Sequence, residues 1–125
     1  MLIQNPDRRG DKHNCVFYQD GLVAFDFELG FSFLLPILGD PKSAWQVSQH
    51  GINHTHLFRP TLRNKAIEWR SFIGKLEALC QTKLEMVLNQ LPEKWQGWAS
   101  IVREHFFEAI SKPNAFEMEL QRSLL

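Results

Sequence analysis

Two aspartates and an asparagine near the start of the chain are the residues whose chemistry stands out. Asp7 and Asn14 precede a short apolar stretch with a turn in its middle, and Asp26 follows that stretch. Phosphoryl transfer to a hydroxyl needs a carboxylate that accepts the hydroxyl proton and oxygen ligands that hold Mg²⁺ against the phosphates. These three side chains could supply those groups, provided that the fold brings them together.

A β-hairpin is the element that should bring them together. Residues 15–18 and 22–25 have β-compatible side chains, and the dipeptide Asp20-Gly21 between them is favoured in type I′ turns, which need φ > 0. Two strands of equal length return the chain to its starting point. We therefore expect Asp26 to lie beside the loop that precedes the hairpin.

An apolar segment and then an irregular connection are predicted after the hairpin. Residues 27–38 are strongly apolar, which predicts a buried turn or a short helix ended by Pro36 and Gly39. Residues 40–60 contain two prolines and a glycine and predict a long irregular connection.

After Pro60 the apolar residues recur with a period of 3.6, which indicates helices packed on a core. One helical face is predicted to consist of Ala66, Trp69, Ile73, Leu76 and Cys80. A second helix is predicted from Thr82 to Leu91, because Thr82 and Glu85 fit a capping box.

A third helix is predicted from Glu93 to Ser111, between two prolines. Its inner side should carry Trp95, Trp98, Ile101 or Val102, His105, Phe106 and Ala109. Residues 115–124 predict a short final helix. The whole pattern predicts an α+β fold, mostly α, with a short N-terminal β-hairpin and a helical C-terminal lobe.

Three segments around the acids carry a resemblance to a known family. They are Asp7-Arg8, then Asn14-Cys15-Val16-Phe17, and finally Leu22 to Phe33, of which Asp26-Phe27-Glu28-Leu29-Gly30-Phe31-Ser32-Phe33 is the most specific part. These segments resemble HipA-like kinases, bacterial relatives of the HipA toxin kinase and, more distantly, of phosphatidylinositol kinases. The resemblance implies the C-terminal lobe of a kinase-like fold, with ATP- and Mg²⁺-dependent phosphoryl transfer to a hydroxyl.

The same resemblance implies a role for each of the three residues. Asp7 would be the catalytic base, and Asn14 and Asp26 would be metal ligands, with Asp26 equivalent to the aspartate that opens the kinase DFG motif. In most kinases the loop asparagine lies five residues after the aspartate, where this chain has Lys12. Asn14 is the preferred ligand, and Asp11 is a competing one.

The chain is expected to form a single domain, 1–125, corresponding to part of a HipA-like kinase. Residues 1–40 would hold the catalytic loop and the metal-binding hairpin, and residues 61–125 the helical subdomain. The sequence before Asp7 has no Gly-rich phosphate loop and no strand lysine for the phosphates. We therefore expect little or no kinase activity from the chain alone, and as partner either a second copy or a separate N-terminal ATP-binding chain.

The net charge, the longest apolar run and the cysteines of the sequence exclude some classes of function and location. The formal net charge is zero, which argues against nucleic acid as a partner. No apolar run approaches the roughly 20 residues of a membrane span. The absence of a signal peptide and two distant cysteines predict a cytoplasmic protein.

Three other interpretations compete with the kinase one. The chain could be a non-catalytic helical interaction module that dimerises or pairs with another chain. It could be an unrelated metal-dependent phosphohydrolase, in which His13 would join the acids. His50, His54 and His56 have a spacing that could also ligate zinc, although no cysteine or acid lies close by in sequence.

Overall fold

The computed structural model describes residues 4–35 and 44–125, apart from the side chains of Ile52 and Asn53. An antiparallel β-hairpin comes first and helices follow, so the predicted α+β, mostly α class is confirmed. Within those two ranges, no helix combines the length and the apolar character that a membrane span requires.

The hairpin consists of β1 (Cys15–Tyr18) and β2 (Gly21–Ala24). Its register sets Cys15 opposite Ala24 and Tyr18 opposite Gly21. One further ladder bond, from the Phe25 amide to the Asn14 carbonyl (3.0 Å), extends the pairing past the base of the hairpin. The two chain segments that enter and leave the hairpin therefore lie side by side, as predicted.

The turn of the hairpin lies one residue earlier than predicted. Gln19 and Asp20 form it, and Gly21 belongs to β2, where it pairs with Tyr18. Gln19 has φ 52°, whereas Gly21 has no positive φ. Gly21 was predicted as a turn residue because type I′ turns, which need φ > 0, favour the dipeptide Asp-Gly. In the structure, four residues of β1 pair with four residues of β2, so only Gln19 and Asp20 remain for the turn.

In the part of the chain that the structure describes, five α-helices and several short helical turns follow the hairpin. The α-helices are α1 (Arg59–Leu62), α2 (Trp69–Leu79), α3 (Glu85–Asn89), α4 (Gln96–Ser111) and α5 (Pro113–Arg122). Short 3₁₀ segments cover Ser32–Leu34, Val47–Gln49, Gly51–Thr55 and Glu93–Trp95. The expected stops at Pro36 and Gly39, and residues 40–43 of the expected connection, lie outside the described residues.

The predicted helix start at Thr82 is wrong. A π-helical turn, Cys80–Leu84, joins α2 to α3, so the chain runs helically through Thr82. The Thr82 hydroxyl donates to the Ala78 carbonyl (2.7 Å) four residues earlier, as threonines do inside helices. No proline or glycine interrupts this stretch, so the helical backbone continues through Thr82 although the sequence there fits a capping box.

The helix before it begins later than the apolar period suggested. Glu68 is the N-cap of α2, and its carboxylate accepts from the Ser71 amide (3.1 Å). Ala66 is exposed and precedes the helix. The inner positions Ile73, Leu76 and Cys80 are buried, as predicted.

The third predicted helix corresponds closely to Glu93–Trp95 and α4. Val102, His105, Phe106 and Ala109 are buried on its inner side, as predicted. Trp95 and Trp98 are not: 49% and 40% of their surfaces remain exposed. Both rings lie at the edge of an open groove, so their assignment to the core was wrong.

Aromatic packing attaches the segment after the hairpin to α4. Phe33 is fully buried, with its ring centroid 4.5 Å from that of His105. Phe31 lies edge-on to Phe106, with 6.0 Å between the centroids. Phe31 has a left-handed backbone conformation (φ 60°), which an aromatic residue seldom adopts. The base of the hairpin is thereby fixed relative to the helices.

A buried carboxylate connects α5 to the segment around residue 48. Glu119 is only 6% exposed, and its Oε2 accepts from the Ser48 hydroxyl (2.5 Å) and amide (3.2 Å). Arg122 supplies a positive charge 3.4 Å from Oε1. A buried charge is tolerated only when hydrogen bonds replace the lost water, and these contacts do so.

We expect Glu119→Ala to lower the free energy of unfolding by about 2–3 kcal/mol, because it leaves the Ser48 donors without their acceptor. Glu117→Ala is the matched control on the same helix. Glu117 forms only a surface ion pair with Arg70 (3.7 Å), and its removal should cost less than about 1 kcal/mol. Urea unfolding of both variants measures the difference, and equal losses would contradict a structural role for the buried carboxylate.

Candidate metal site at the base of the hairpin

Asn5 positions the loop that carries Asp7. Asn5 is buried, with 7% of the residue exposed. Its side-chain amide donates to the Asp26 carbonyl (3.2 Å), and its Oδ1 accepts from the Asp7 amide (3.0 Å). Arg8 adds a bond from its guanidinium to the Phe25 carbonyl (3.2 Å). One buried side chain therefore bonds to the backbone of both aspartates that the sequence singled out.

Asn14 and Asp26 flank the hairpin in the same unusual backbone conformation. Asn14 has φ 46° and Asp26 has φ 55°. Asn and Asp adopt this left-handed region more readily than other non-glycine residues, so the backbone alone gives one reason for both residue types. The conformation also turns the two side chains toward each other: the Asn14 amide donates to Asp26 Oδ2 (3.1 Å).

The carboxylates of Asp7, Asp26 and Glu28 come together beside this pair. Each offers an oxygen, and the three oxygens lie within 4.8 Å of one another. Asp7 and Asp26, both singled out from the sequence, are therefore neighbours in space. Glu28 was not singled out as a ligand, although it lies within the segment that carries the family resemblance.

Lys12 occupies the cation position of this cluster. Its ammonium forms an ion pair with the Asp7 carboxylate and lies 4.0 Å from Asp26 Oδ2. The hydrogen bond to Asp7 and the charges of the other two carboxylates raise the pKa of Lys12. The fifth residue after Asp7, which is the usual position of the loop asparagine in kinases, thus provides a positive charge instead.

The competing ligands lie elsewhere. Asp11 is paired with Arg9 (3.4 Å) and is not one of the three clustered carboxylates. His13 contacts the Gly10 carbonyl (2.6 Å) and does not belong to the cluster. Among the residues that the structure describes, His50, His54 and His56 form no group with other potential ligands that could hold a zinc ion.

The donor set suits a hard divalent cation. Mg²⁺ and Ca²⁺ prefer oxygen ligands, at about 2.0–2.1 Å and 2.3–2.6 Å respectively, so ligands on opposite sides of either ion stand roughly 4–5 Å apart. The oxygens of Asp7, Asp26 and Glu28 satisfy that spacing with little movement. Asn14 could contribute its amide oxygen as a further ligand once its amide no longer donates to Asp26.

Glu28 is also among the residues that line an apolar groove. The groove encloses about 750 Å³, and Trp95, Trp98, Leu79 and Val87 are among its lining side chains. Lys83, on the π-helical turn, also lines it. Glu28 thus belongs to both features, so the groove opens directly beside the carboxylates.

Comparisons of the chain with models of protein families, with curated proteins and with solved structures found no match in any of the three.

His56 attaches the acid-bearing loop to the helical part. It forms an isolated antiparallel bridge with Arg9, and the adjacent Leu57 amide donates to the Arg8 carbonyl (2.9 Å). Burial, together with the nearby charge of Arg8, lowers the pKa of His56 to about 4. The imidazole is therefore neutral at pH 7, and Nδ1 accepts from the Phe58 amide (3.3 Å).

The protein should lose stability as the pH falls from about 6.5 toward 4, because His56 then takes up a proton in the unfolded chain but not in the folded one. A pKa shift from 6.5 to about 4 corresponds to roughly 3 kcal/mol in the free energy of unfolding. Because the ring is partly exposed and solvent screens its charge, we expect a loss of about 1–2 kcal/mol.

Thermal unfolding of the wild type and of His56→Leu between pH 4.5 and 7.5 measures this pH-dependent contribution of His56 to stability. The variant should have the shallower pH dependence over that window. Equal slopes for the two proteins would show that His56 is not protonated differently in the folded and unfolded chains.

Lys12→Met should strengthen divalent-cation binding by about three- to tenfold, since it removes a positive charge that stands about 4 Å or less from two of the carboxylates. Arg9→Met is the matched control, because Arg9 pairs with Asp11 outside the cluster. Calorimetric titration with Mg²⁺ and Ca²⁺ compares them. Unchanged affinity in Lys12→Met would mean that the cation does not bind at these carboxylates.

Proposed function

We propose that the chain is the acid-bearing, C-terminal lobe of a HipA-like kinase, which acts in ATP- and Mg²⁺-dependent phosphoryl transfer to a hydroxyl. Asp7 acts as the base toward the acceptor hydroxyl, and Asn14 and Asp26 hold the metal. The observation that carries the proposal is the convergence of the Asp7 and Asp26 carboxylates, with Asn14 bonded to Asp26, from positions up to 19 residues apart.

The side-chain environments support different roles for the two aspartates. Asp7 is the more enclosed, with 17% of its side chain exposed, and a bond from its own backbone amide to Asn5 fixes its loop. Asp26 is 33% exposed and stands at the open side, next to Glu28. A base needs a fixed position toward one hydroxyl, whereas a metal ligand has to face the phosphates.

The nucleotide has to be held by groups other than the clustered carboxylates and Asn14. Kinases place the phosphates with a Gly-rich loop and a strand lysine, and neither pattern occurs in this sequence. We propose that an N-terminal ATP-binding segment or chain outside these 125 residues supplies them. Orientation of the reactants can contribute about 7–11 kcal/mol of the catalytic effect, so the chain alone should turn over little or no ATP.

A non-catalytic interaction module is the second candidate function. The apolar side chains exposed on the hairpin favour it, because patches of that kind usually contact a partner. Such a module needs no cation, so metal binding at Asp26 separates the two candidates.

Asp26→Asn should weaken Mg²⁺ or Mn²⁺ binding at least about tenfold, because a neutral amide replaces one of the clustered carboxylates. Asp20→Asn is the matched control: it makes the same chemical change at the turn, the opposite end of the hairpin. Calorimetric titration with each metal, with and without ATP, measures the affinity. ATP turnover is assayed on the same samples and should be close to the uncatalysed rate.

Equal metal affinity in the two variants would contradict the kinase proposal and favour the interaction module. ATP turnover by the chain alone, if abolished in Asp26→Asn, would support the kinase chemistry but contradict the proposal that groups outside these residues hold the nucleotide.

A further inference from the structure

The apolar groove has the size and the lining of a small-molecule site. It encloses about 750 Å³, within the roughly 300–1,000 Å³ that is typical of pockets for small ligands. Residues 28–35 contribute one part of its lining, and helical residues between 79 and 106 contribute the rest. Apart from two tryptophans, the polar side chains among its described lining residues are Glu28, Ser32 and Lys83.

The groove combines a buried floor with an exposed apolar rim. Leu88, Val102 and Phe106 form the floor; they are between 4% and 8% exposed and belong to the core. Five further lining residues, between 40% and 53% exposed, form the rim: Leu35, Leu79, Val87, Trp95 and Trp98. Apolar side chains that cluster in contact with water usually mark a binding site. A ligand with an apolar body would cover this rim.

A π-helical turn supplies two of the lining residues, Lys83 and Leu84. A π-helical turn holds one residue more than an α-helical path, so the residues after it are rotated by roughly 100° about the helix axis. Such turns are rare and are frequently found at functional sites. The turn therefore indicates a functional role for the groove, independently of the groove's size and apolar lining.

Lys83 brings a positive charge to the groove. Among the described residues, no carboxylate forms an ion pair with it. A second lysine outside these ion pairs, Lys94, lies 5.6 Å from the ring centroid of Trp95 on the rim. Glu28, by contrast, belongs to the carboxylate cluster whose charge Lys12 compensates. The groove therefore offers its free cations to an anionic ligand.

The rest of the lining favours a hydrocarbon body over a polar one. The Ser32 hydroxyl is buried and already donates to the Gln4 carbonyl (2.5 Å). Polar groups on the body of a ligand would lose water without gaining hydrogen bonds from the aliphatic residues of the groove, which is unfavourable.

We propose that the groove binds a fatty carboxylate, whose hydrocarbon chain covers the apolar rim and whose carboxylate pairs with Lys83. The methylene chain of a lysine can lie along apolar surface while its ammonium reaches a charged partner. Water screens such a pair less at the edge of an apolar site than on open surface, so the charge of the ligand contributes to affinity. The proposal is independent of the kinase function, because neither Asp7 nor Asp26 lines the groove.

Tryptophan fluorescence of the full chain tests the proposal, with dodecanoate added below its micelle concentration and without divalent cations. Trp95 and Trp98 line the groove, so we expect a saturable change in emission. Decanoate should bind about three- to tenfold more weakly, because it has two methylenes fewer to remove from water.

Lys83→Met should weaken the binding of dodecanoate about tenfold and leave that of dodecanol, which has no charge, nearly unchanged. Lys75→Met is the matched control. Lys75 is exposed on α2 and does not line the groove, so its loss should leave the affinity for dodecanoate unchanged.

Val87→Glu should weaken the binding of dodecanoate at least about tenfold, because it places a negative charge on the rim. Val16→Glu is its control. Val87 is 53% exposed and Val16, on the hairpin, is 52% exposed, so the same chemical change is made at the same starting exposure. Circular dichroism checks that each variant is folded.

Saturable binding that Lys83→Met and Val87→Glu weaken, and their controls do not, would support the proposal. Absence of saturable binding, or an unchanged affinity for dodecanoate in Lys83→Met, would overturn it. Binding that Val16→Glu removes and Val87→Glu retains would overturn it too, because the ligand would then lie on the hairpin. Sedimentation of the ligand-free chain adds one further outcome: a dimer that only Val87→Glu dissociates would mean that a second copy occupies the groove.

Discussion

Mutual repulsion among three carboxylates is the constraint on which the site depends. The oxygens of Asp7, Asp26 and Glu28 lie within 4.8 Å of one another, and charges of the same sign at that distance oppose folding unless a cation compensates them. Asn5 holds the loop backbone against the hairpin, and Lys12 provides the compensating charge. A divalent cation would perform the same task with more charge, so Lys12 and the metal compete for the same carboxylates.

The hairpin and the approach of its two ends could be predicted from the sequence, because both follow from backbone geometry alone. Paired strands of equal length return the chain to its origin whatever the side chains do. That rule suffices to bring Asp26 next to Asn14, whereas the approach of Asp7 also depends on the loop that Asn5 holds. The buried side of α4 could be predicted for a similar reason: the helical period places Val102 and Phe106 on one face, and the core covers that face.

Other features depend on long-range contacts, which a linear pattern does not contain. The reach of Lys12 to Asp7 depends on how the loop folds back on itself, and the role of Asn5 depends on a hydrogen bond to a residue 21 positions away. Thr82 was misjudged because a short capping motif looks the same inside a helix as at its start. Trp95 was wrongly assigned to the core because the helical period shows which residues share a face of the helix, but not whether another part of the protein covers that face.

The most direct measurement of the central claim is the site at which a divalent cation binds. Mn²⁺ broadens the NMR signals of nuclei near it, so sub-stoichiometric Mn²⁺ added to ¹⁵N-labelled protein locates the ion residue by residue. The account predicts that the amide signals of Asp7, Asn14 and Asp26 broaden first and together. Three further glutamates, Glu77, Glu104 and Glu108, line a shallow depression elsewhere on the helices. Broadening centred on those glutamates, or spread evenly over the chain, would contradict the account.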